Sequence, residues 1–236
     1  MTRPDGGIIS DQTILEAMNE GFIKIEPFDR ACLGSNSYDV HLGKTLAVYG
    51  EIDWNPAERP YAHIPVIELD SARSNPITEF EIPCTCGKTP CGGNKRTCGY
   101  VLRPGSFYLG VTSEYTETRG FVPWIDGKSS GGRLSIRIHA TAGRGDVGFC
   151  NHWTLEIDTI LPVRVYAGMP IGQLTYFTCV GSVLTPYNQK AFAKYNQRSD
   201  RPVPSYMWKN FPKDDPACIC LAGEKLDEHC PKHKVA

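Results

Sequence analysis

The densest group of side chains able to do chemistry is the run Asp126-Gly127-Lys128-Ser129-Ser130-Gly131-Gly132-Arg133. Its glycines let the backbone approach a ligand closely, and its serine hydroxyls can donate or accept hydrogen bonds. Lys128 and Arg133 add positive charge suited to phosphate. The run therefore predicts a phosphate-binding turn without a Walker lysine pattern. A plain Gly/Ser-rich turn between strands is the simpler alternative.

A second candidate for chemistry is the carboxylate of Glu156, which lies within a predicted strand. Its neighbours form two alternating sets, the apolar Trp153, Leu155 and Ile157 and the polar Thr154, Glu156 and Asp158. Successive side chains of a strand point to opposite faces, so Glu156 lies on the face opposite the apolar row. A lone strand glutamate usually faces solvent, and only its surroundings can give it a catalytic role.

The elements that must position these residues are mostly short strands. Ser10 can cap one helix over residues 11–20, which Gly21 ends. The clearest strand patterns cover residues 37–42, 107–112, 134–142, 153–157, 163–165 and 173–177. Strands cut this evenly by Gly, Pro and Asn predict a mainly β domain, a compact sandwich or barrel with a short N-terminal helix.

Length, charge and hydropathy limit the alternatives. The chain has 236 residues, which suits one domain over residues 1–206 with a Cys-rich insertion at about 83–99 and a tail over 207–236. Residues 53–76 read as a long loop. A net charge of −1 provides no basic face for a nucleic acid polymer. Neither a long apolar run nor a signal peptide is present, so we expect a soluble, cytoplasmic protein that does not bind membranes.

Four of the ten cysteines are grouped in this insertion: Cys84, Cys86, Cys91 and Cys98. Without an export signal the compartment is reducing, so we expect thiols rather than disulfides. The insertion is rich in Gly, Lys, Thr and Asn and cannot build its own apolar core, whereas four thiolates around a structural Zn²⁺ would organise it. The spacing C-x-C-x4-C-x6-C is not the usual paired C-x2-C, and free or buried thiols remain the alternative.

A second cysteine group lies in the tail, with Cys218, Cys220, His229, Cys230 and His233. It could form another metal site, share ligands with the first group, or be incidental to a loose tail. Neither group has the H-x-E and P-C-x-x-C signature of the zinc-dependent cytidine deaminases. A catalytic zinc is therefore not expected.

An ordered series of motifs surrounds the phosphate-binding run. It comprises Ile8-Ile9-Ser10-Asp11, Ile25-Glu26-Pro27-Phe28, Ser37-Tyr38-Asp39-Val40-His41-Leu42-Gly43, Leu102-Arg103-Pro104-Gly105-Ser106-Phe107-Tyr108-Leu109-Gly110, Gly127-Lys128-Ser129-Ser130 with Arg133, Ala140-Thr141-Ala142-Gly143 with Asp146, Thr154-Leu155-Glu156, and Gly168-Met169 with Ile171-Gly172-Gln173-Leu174. In this order the motifs resemble the dCTP deaminase and dUTPase superfamily, over about residues 8–50 and 100–206. The resemblance implies a dUTPase-like distorted β-barrel (β-clip) that forms a homotrimer with active sites at subunit boundaries.

The resemblance also implies roles for single residues. Glu156 would take a proton from the water that attacks C4 of cytosine and deliver it to the departing ammonia, without a catalytic metal. Ser129 and the backbone carbonyl of Ala142 would hold that water, and Arg133 would orient Glu156. The substrate-binding residues would be Lys128, Ser129, Ser130, Arg133, Asp146, Gln173, the main chain of Thr154 and Leu155, and the tail residues Tyr187 and Lys194, which would close over the triphosphate.

The implied reaction is hydrolysis of dCTP to dUTP and ammonia, which feeds dUMP and thymidylate synthesis. Mg²⁺ would enter with the triphosphate, and dTTP is a candidate inhibitor. Two alternatives within the superfamily are a bifunctional enzyme that releases dUMP and a dUTP pyrophosphatase, although Glu156 argues against a pure pyrophosphatase. A nucleotide-sensing or partner-binding module is the non-enzymatic alternative. Val147 and Arg198 depart from the family pattern, which has proline and glutamine there.

Overall fold

A computed structural model describes residues 6–50, 67, 69, 77–88, 91 and 97–210. These residues belong to two compact units. The first contains the described residues up to Pro204 except Ile67 and Leu69, which join residues 205–210 in the second unit. Most of the predicted loop over residues 53–76 and the whole second cysteine group lie outside the described residues. The domain boundary near residue 206 stays a prediction.

The first unit is mainly β. Its helices are α1 (Asp11–Asn19) and the single turn α2 (Ser129–Gly132). Its strands are β1 (Gly7–Ile8), β2 (Ile23–Glu26), β3 (Tyr38–His41), β4 (Thr45–Tyr49), β5 (Ile77–Glu81), β6 (Tyr100–Leu102), β7 (Tyr108–Thr118), β8 (Phe121–Gly127), β9 (Ile136–Arg137), β10 (Cys150–Thr159), β11 (Val163–Val165) and β12 (Pro170–Thr178). The second unit contains one 3-10 turn, Met207–Asn210. No helix of the described residues is long and apolar enough to cross a bilayer.

The predicted N-terminal helix is confirmed as α1. The Ser10 hydroxyl accepts a hydrogen bond from the backbone N–H of Thr13 at 3.4 Å and so caps the helix. Ile14 and Ala17 are buried on its inner face. Gly21, with φ +74°, takes the left-handed conformation that ends a helix.

The strands pair antiparallel in three sheets. One sheet has the order β1-β12-β3 with β8 also on β12, the second has the order β5-β4-β7-β10-β9 with β2 also on β7, and the third joins β11 to β6. The predicted mainly β fold with one short N-terminal helix is confirmed. None of the three sheets closes on itself within the described residues.

One predicted strand, over residues 134–142, is mostly wrong. Only Ile136–Arg137 forms a strand. Ser135 has φ +65° and Leu134 donates its N–H to Gly131 at 2.9 Å, so these residues belong to a turn after α2. The apolar alternation holds at buried Ile136 and Ile138 but fails at Leu134, which is 55% exposed. The turn that follows α2, hydrogen-bonded back to Gly131, overrode the local alternation.

The core is one apolar cluster that includes inward residues of both larger sheets. Leu155 and Ile157 of β10 and Leu174 and Tyr176 of β12 are completely buried. Thr154, Glu156 and Asp158 of β10 lie on the opposite face, as the alternation predicts. Because β10 is anchored by its apolar row, the backbone that carries Glu156 cannot rotate without disrupting the core.

Replacing a core leucine should destabilise this unit strongly. We expect Leu174→Ala to lower the free energy of unfolding by about 2 to 5 kcal/mol, because it leaves a cavity beside fully buried neighbours. The matched control is Leu184→Ala, at a side chain that is 95% exposed, for which we expect a change within about 0.5 kcal/mol. Urea denaturation measures both, and equal effects would contradict this placement of the core.

Candidate active site

Glu156 forms two hydrogen bonds with residues 138–140. The backbone N–H of Ala140 donates to its carboxylate oxygen Oε2 at 2.8 Å. Its own backbone N–H donates to the carbonyl of Ile138 at 2.9 Å. In the described part of the chain the second oxygen, Oε1, accepts no hydrogen bond. The carboxylate is therefore oriented by one oxygen and available to a ligand or water through the other.

The loop that carries Ala140 and Ala142 is attached to β8. The N–H of Ile125 donates to the carbonyl of Gly143 at 2.7 Å, and the N–H of Gly145 donates to that of Pro123 at 2.8 Å. A Cβ on Gly143 would lie 2.3 Å from the carbonyl oxygen of Ile125, so only glycine permits this approach. The exposed Ala142 thus lies on a backbone that is fixed by hydrogen bonds at Ala140 and Gly143.

His139 links this loop to the phosphate-binding run. Its Nε2 lies 3.1 Å from Oδ1 of Asp126, which also accepts the backbone N–H of Gly127 at 2.8 Å. The other ring nitrogen, Nδ1, is buried and has no partner within the described residues. Sequence reasoning missed His139, because an alternating polar position in an assumed strand carried no sign of this contact.

The predicted phosphate-binding residues lie on the exposed turn of α2. The N–H of Gly132 donates to the carbonyl of Lys128 at 2.9 Å, and that of Arg133 to the carbonyl of Ser129 at 3.1 Å. The side chains of Ser129, Ser130 and Arg133 are exposed and have no polar partner in the described chain. Within the described residues Arg133 forms no hydrogen bond or ion pair with Glu156, whose carboxylate accepts the Ala140 N–H; its predicted role in orienting Glu156 stays a prediction.

Lys128 joins a polar network that crosses three strands. Its ammonium forms an ion pair with Oδ2 of Asp39 on β3. The side-chain amide of Gln173 on β12 donates to Oδ1 of Asp39 at 2.8 Å and to Ser37 Oγ at 3.4 Å. A phosphate that binds Lys128 must share it with Asp39. Sequence reasoning did not select Asp39 as a site residue, although it lies within one of the quoted motifs.

A tail segment, residues 186–204, packs beside the turn that holds Asp146. Lys190 pairs with Asp146, Nζ to Oδ2, at 3.1 Å. The backbone N–H of Tyr187 donates to the carbonyl of Val147 at 2.7 Å, and its hydroxyl accepts the N–H of Tyr195 at 3.0 Å. Tyr187, which was predicted to close over the triphosphate, therefore forms hydrogen bonds that hold the segment 186–204 in place.

The other predicted closing residue, Lys194, is half-buried in the same segment. Within the described residues its ammonium has no hydrogen bond or ion pair. It is therefore available to a polyanion.

Asn151 of β10 anchors the same tail segment. This buried side chain donates through Nδ2 to the carbonyls of Tyr195 at 3.0 Å and Gln197 at 2.9 Å. Its Oδ1 accepts the N–H of Ser199 at 2.9 Å. The signal in the sequence was an asparagine in line with the apolar row of β10, since a buried amide needs partners.

Thr154 and Leu155 differ in where their backbones point. The N–H of Glu156 faces Ile138, and in an antiparallel strand residues two apart direct their backbone groups to the same side. Thr154 therefore presents its main chain toward the Ala140 loop, where a base could be read. Leu155 is in register with Gly110 of β7, and its side chain is completely buried. The Thr154 hydroxyl accepts the N–H of Val203 at 3.1 Å.

The predicted metal ligands Cys84, Cys86, Cys91 and Cys98 come together, with all four sulfur atoms within 4.8 Å of one another. Hydrogen bonds, above all from the Thr85 N–H, lower the pKa of Cys98 to about 6. Burial instead raises the pKa values of the isolated thiols Cys32 and Cys150.

Comparison with known proteins decides the family. The family described as dCTP deaminase-like matches residues 8–179. This chain belongs to the dCTP deaminase family. The family predicted from the ordered motifs is confirmed, and with it the prediction of an enzyme of the dCTP deaminase type.

Three relatives in the dCTP deaminase family carry the name "dCTP deaminase, dUMP-forming". The protein of Leptospira biflexa is 37% identical over 206 residues, which covers 87% of this chain and 99% of the relative. That of Cytophaga hutchinsonii is 39% identical over 191 residues, covering 81% and 91%. That of Clostridium beijerinckii is 36% identical over 206 residues, covering 87% and 99%.

The solved structure of a protein named as a deaminase of the same nucleotide is similar in fold to this chain. The 2′-deoxycytidine 5′-triphosphate deaminase from Agrobacterium tumefaciens superposes with a TM-score of 0.50 at 20% sequence identity. The match covers 74% of this chain and 49% of the solved one, so this chain spans about half of that chain's length. This similarity supports the dUTPase-like architecture.

Both departures from the dCTP deaminase family pattern have structural partners here. Val147 is buried, 8% exposed, and its carbonyl receives the N–H of Tyr187 at 2.7 Å. The guanidinium of Arg198 lies 4.2 Å from the ring centroid of Tyr115 on β7, a cation–π contact. These contacts hold the turn and the tail segment in the absence of the usual proline and glutamine.

Removing the Asn151 amide should loosen the segment 186–204, which it binds at Tyr195, Gln197 and Ser199. We expect Asn151→Ala to speed hydrogen exchange at the Ser199 amide by at least about tenfold, because that N–H loses its only described acceptor and local opening becomes easier. Asn36→Ala, at an exposed loop asparagine, should leave Ser199 unchanged. Hydrogen exchange followed by mass spectrometry makes the comparison, and unchanged protection in Asn151→Ala would contradict the anchor.

Proposed function

We propose that this chain hydrolyses the 4-amino group of dCTP with Glu156 as the general acid and base, and that it releases dUMP. The observation that carries the proposal is the Glu156 carboxylate, oriented through Oε2 by the Ala140 N–H at 2.8 Å while Oε1 accepts no hydrogen bond from the described residues. The names of the relatives support the substrate and the product. A carboxylate fixed in this way can both accept and return a proton.

The deamination step uses one water molecule and the open oxygen of Glu156. Water attacks C4 of cytosine and forms the new C–O bond while Glu156 takes its proton. Glu156 then returns a proton to the 4-amino group, the C–N bond breaks and ammonia leaves, while the second proton of the water moves to ring nitrogen N3 as the C4 carbonyl of uracil forms. The Ser129 hydroxyl and the carbonyl of Ala142, on its glycine-fixed loop, would hold the water.

The nucleotide would lie between the α2 turn and the Ala140 loop. Lys128, Ser129, Ser130 and Arg133 supply the charge and hydroxyls for the triphosphate, which would arrive with its Mg²⁺. Gln173, held by Asp39, lies beside Lys128 in the same network. The main chain of Thr154 would read the pyrimidine edge. Leu155 would keep β10 in place through its buried side chain.

A homotrimer fits the exposed position of the α2 turn. Arg133 and both serines face solvent in the single chain, and a neighbouring subunit would complete and dry the site. Closure by Tyr187 and Lys194 would add to this exclusion of water. We expect the enzyme to act on free nucleotides in the cytoplasm, with dTTP as a candidate inhibitor.

The product follows from a second hydrolysis, of dUTP to dUMP and pyrophosphate. Sequence analysis placed dUTP first and dUMP as the alternative; the relatives' names favour dUMP. Asp146 occupies the position that helps this cleavage in bifunctional superfamily members. Its carboxylate is 53% exposed and paired with Lys190 at 3.1 Å, so a ligand or water can reach it.

The first test of the proposal is Glu156→Gln, which keeps the size of the side chain but removes its basicity. We expect ammonia release from dCTP to fall by at least about 100-fold, the usual contribution of general acid–base catalysis. Nucleotide binding, followed by calorimetry, should persist. The matched control is Asp158→Asn, two residues along the same face of β10, which loses only an ion pair with Arg137.

The outcomes separate the alternatives. Ammonia, dUTP, dUMP and pyrophosphate should be followed together with dCTP and with dUTP as substrates. Full activity of Glu156→Gln would refute its catalytic role, and cleavage of dUTP with dCTP intact would indicate a pyrophosphatase. If neither nucleotide is consumed by the wild-type protein but both bind, the nucleotide-sensing module is favoured.

The second test concerns the product. We expect Asp146→Asn to keep ammonia release within about tenfold of wild type while the ratio of dUMP to dUTP falls by at least about tenfold, because the amide cannot activate water at the triphosphate. Lys190→Gln breaks the same ion pair but keeps the carboxylate, and should still yield dUMP. Equal product ratios for Asp146→Asn and wild type would exclude Asp146 from the second step.

A further inference from the structure

The four thiols of the Cys-rich insertion form a compact group. Sγ of Cys84 lies 3.3 Å from that of Cys86 and 3.5 Å from that of Cys91. The Cys86 and Cys91 sulfurs are 3.5 Å apart, and Cys98 lies 4.0 Å from Cys84. Every sulfur–sulfur distance is below 4.8 Å. A disulfide needs about 2.05 Å, so at these distances no disulfide joins any two of the four cysteines.

We propose that Cys84, Cys86, Cys91 and Cys98 bind one Zn²⁺ as a closed tetrathiolate site. Zn–S bonds of about 2.3 Å in tetrahedral geometry place the sulfurs about 3.8 Å apart. The observed distances lie on both sides of that edge length, so small side-chain shifts complete the tetrahedron. Four protein ligands leave no open position for substrate, which makes the ion structural rather than catalytic.

Hydrophobic burial does not explain this grouping. Cys84 is exposed, and Cys86 and Cys91 are only half-buried. None of these three belongs to the apolar core or to the residues packed against it. Only Cys98, 1% exposed, is buried. Thiols that converge at the surface without apolar neighbours of the core are better explained by a shared ligand than by packing.

The backbone around the ligands is already organised. The Thr85 N–H donates to Sγ of Cys98 at 3.3 Å, the kind of outer contact that orients and stabilises a metal-bound thiolate. The Cys91 N–H donates to the carbonyl of Ala167 at 3.2 Å. The carbonyl of Cys98 accepts from Arg164 Nη1 at 3.4 Å. Two of the four ligands, Cys91 and Cys98, are thus fixed by a hydrogen bond with the main fold.

The zinc would join two sheets. Cys84 follows β5 and Cys98 precedes β6. The residues that flank this segment are joined directly, because the Gly99 N–H donates to the carbonyl of Pro83 at 2.7 Å. The rings of Phe80 on β5 and Tyr100 on β6 lie 4.7 Å apart between centroids. A metal at this point clamps the edge of the six-stranded sheet to the two-stranded β6–β11 sheet. Binding displaces the thiol protons to solvent, with no change of oxidation state.

Metal analysis of the purified full-length chain tests the proposal. Mass spectrometry of elements should find one zinc per chain and no stoichiometric iron. Cys84→Ser and Cys91→Ser should each reduce bound zinc by at least about fivefold, because a lost ligand costs most of the metal affinity. Cys150→Ser and Cys179→Ser, at free thiols outside the group, should retain it. Co²⁺ in place of zinc should give the visible bands of a tetrahedral thiolate site.

A folded wild-type protein without stoichiometric zinc, or one with iron instead, would overturn the assignment. If the Cys→Ser variants fail to fold, the wild-type protein decides: a thiol-modifying reagent should release one zinc as four thiols react, and zinc should slow the alkylation of these four cysteines alone. Equal alkylation with and without zinc would refute the site. None of these readouts depends on the deaminase activity.

Discussion

The central constraint of the structure is the position of residues 138–145 between β10 and β8. On one side the segment binds Glu156 through Ile138 and Ala140. On the other side its backbone pairs with β8 so closely that Gly143 has no room for a Cβ. The Glu156 carboxylate, the Ala142 carbonyl and Asp126 at the start of the glycine- and serine-rich run therefore keep fixed relative positions, because each belongs to this short segment or is bonded to it.

Strand β10 both anchors itself in the core and holds the segment 186–204, because alternate residues of the strand are buried. Its apolar row anchors the strand in the core. Its first buried position, Asn151, instead carries an amide whose hydrogen bonds are all satisfied by neighbouring backbone, most of it in the tail segment. A buried amide with partners stabilises one arrangement, whereas the same amide without them would cost about 1 to 3 kcal/mol. The strand that positions Glu156 thus also positions the segment that packs beside Asp146.

The thiol group stands apart from this active-site arrangement. Its ligands lie at the ends of β5 and β6, and its hydrogen bonds reach Ala167 and Arg164 rather than Glu156 or the α2 turn. In the proposed zinc site, a metal between β5 and β6 would replace apolar contact that the Gly- and Thr-rich insertion cannot supply. The thiol group and the candidate active site therefore lie in different parts of the molecule.

The sequence by itself determined the helix capped by Ser10, the alternation of β10 that separates Glu156 from the core, the glycine- and serine-rich run, and the family. These features depend on local period, capping and motif order. Only the tertiary structure decided that residues 139–143 form a loop, that Asp39 pairs with Lys128, that Asn151 holds the tail, and that four cysteines converge. Each of these contacts joins residues that local patterning treats as independent, because hydrogen-bond partners and close backbone approaches are selected by the packing of distant strands.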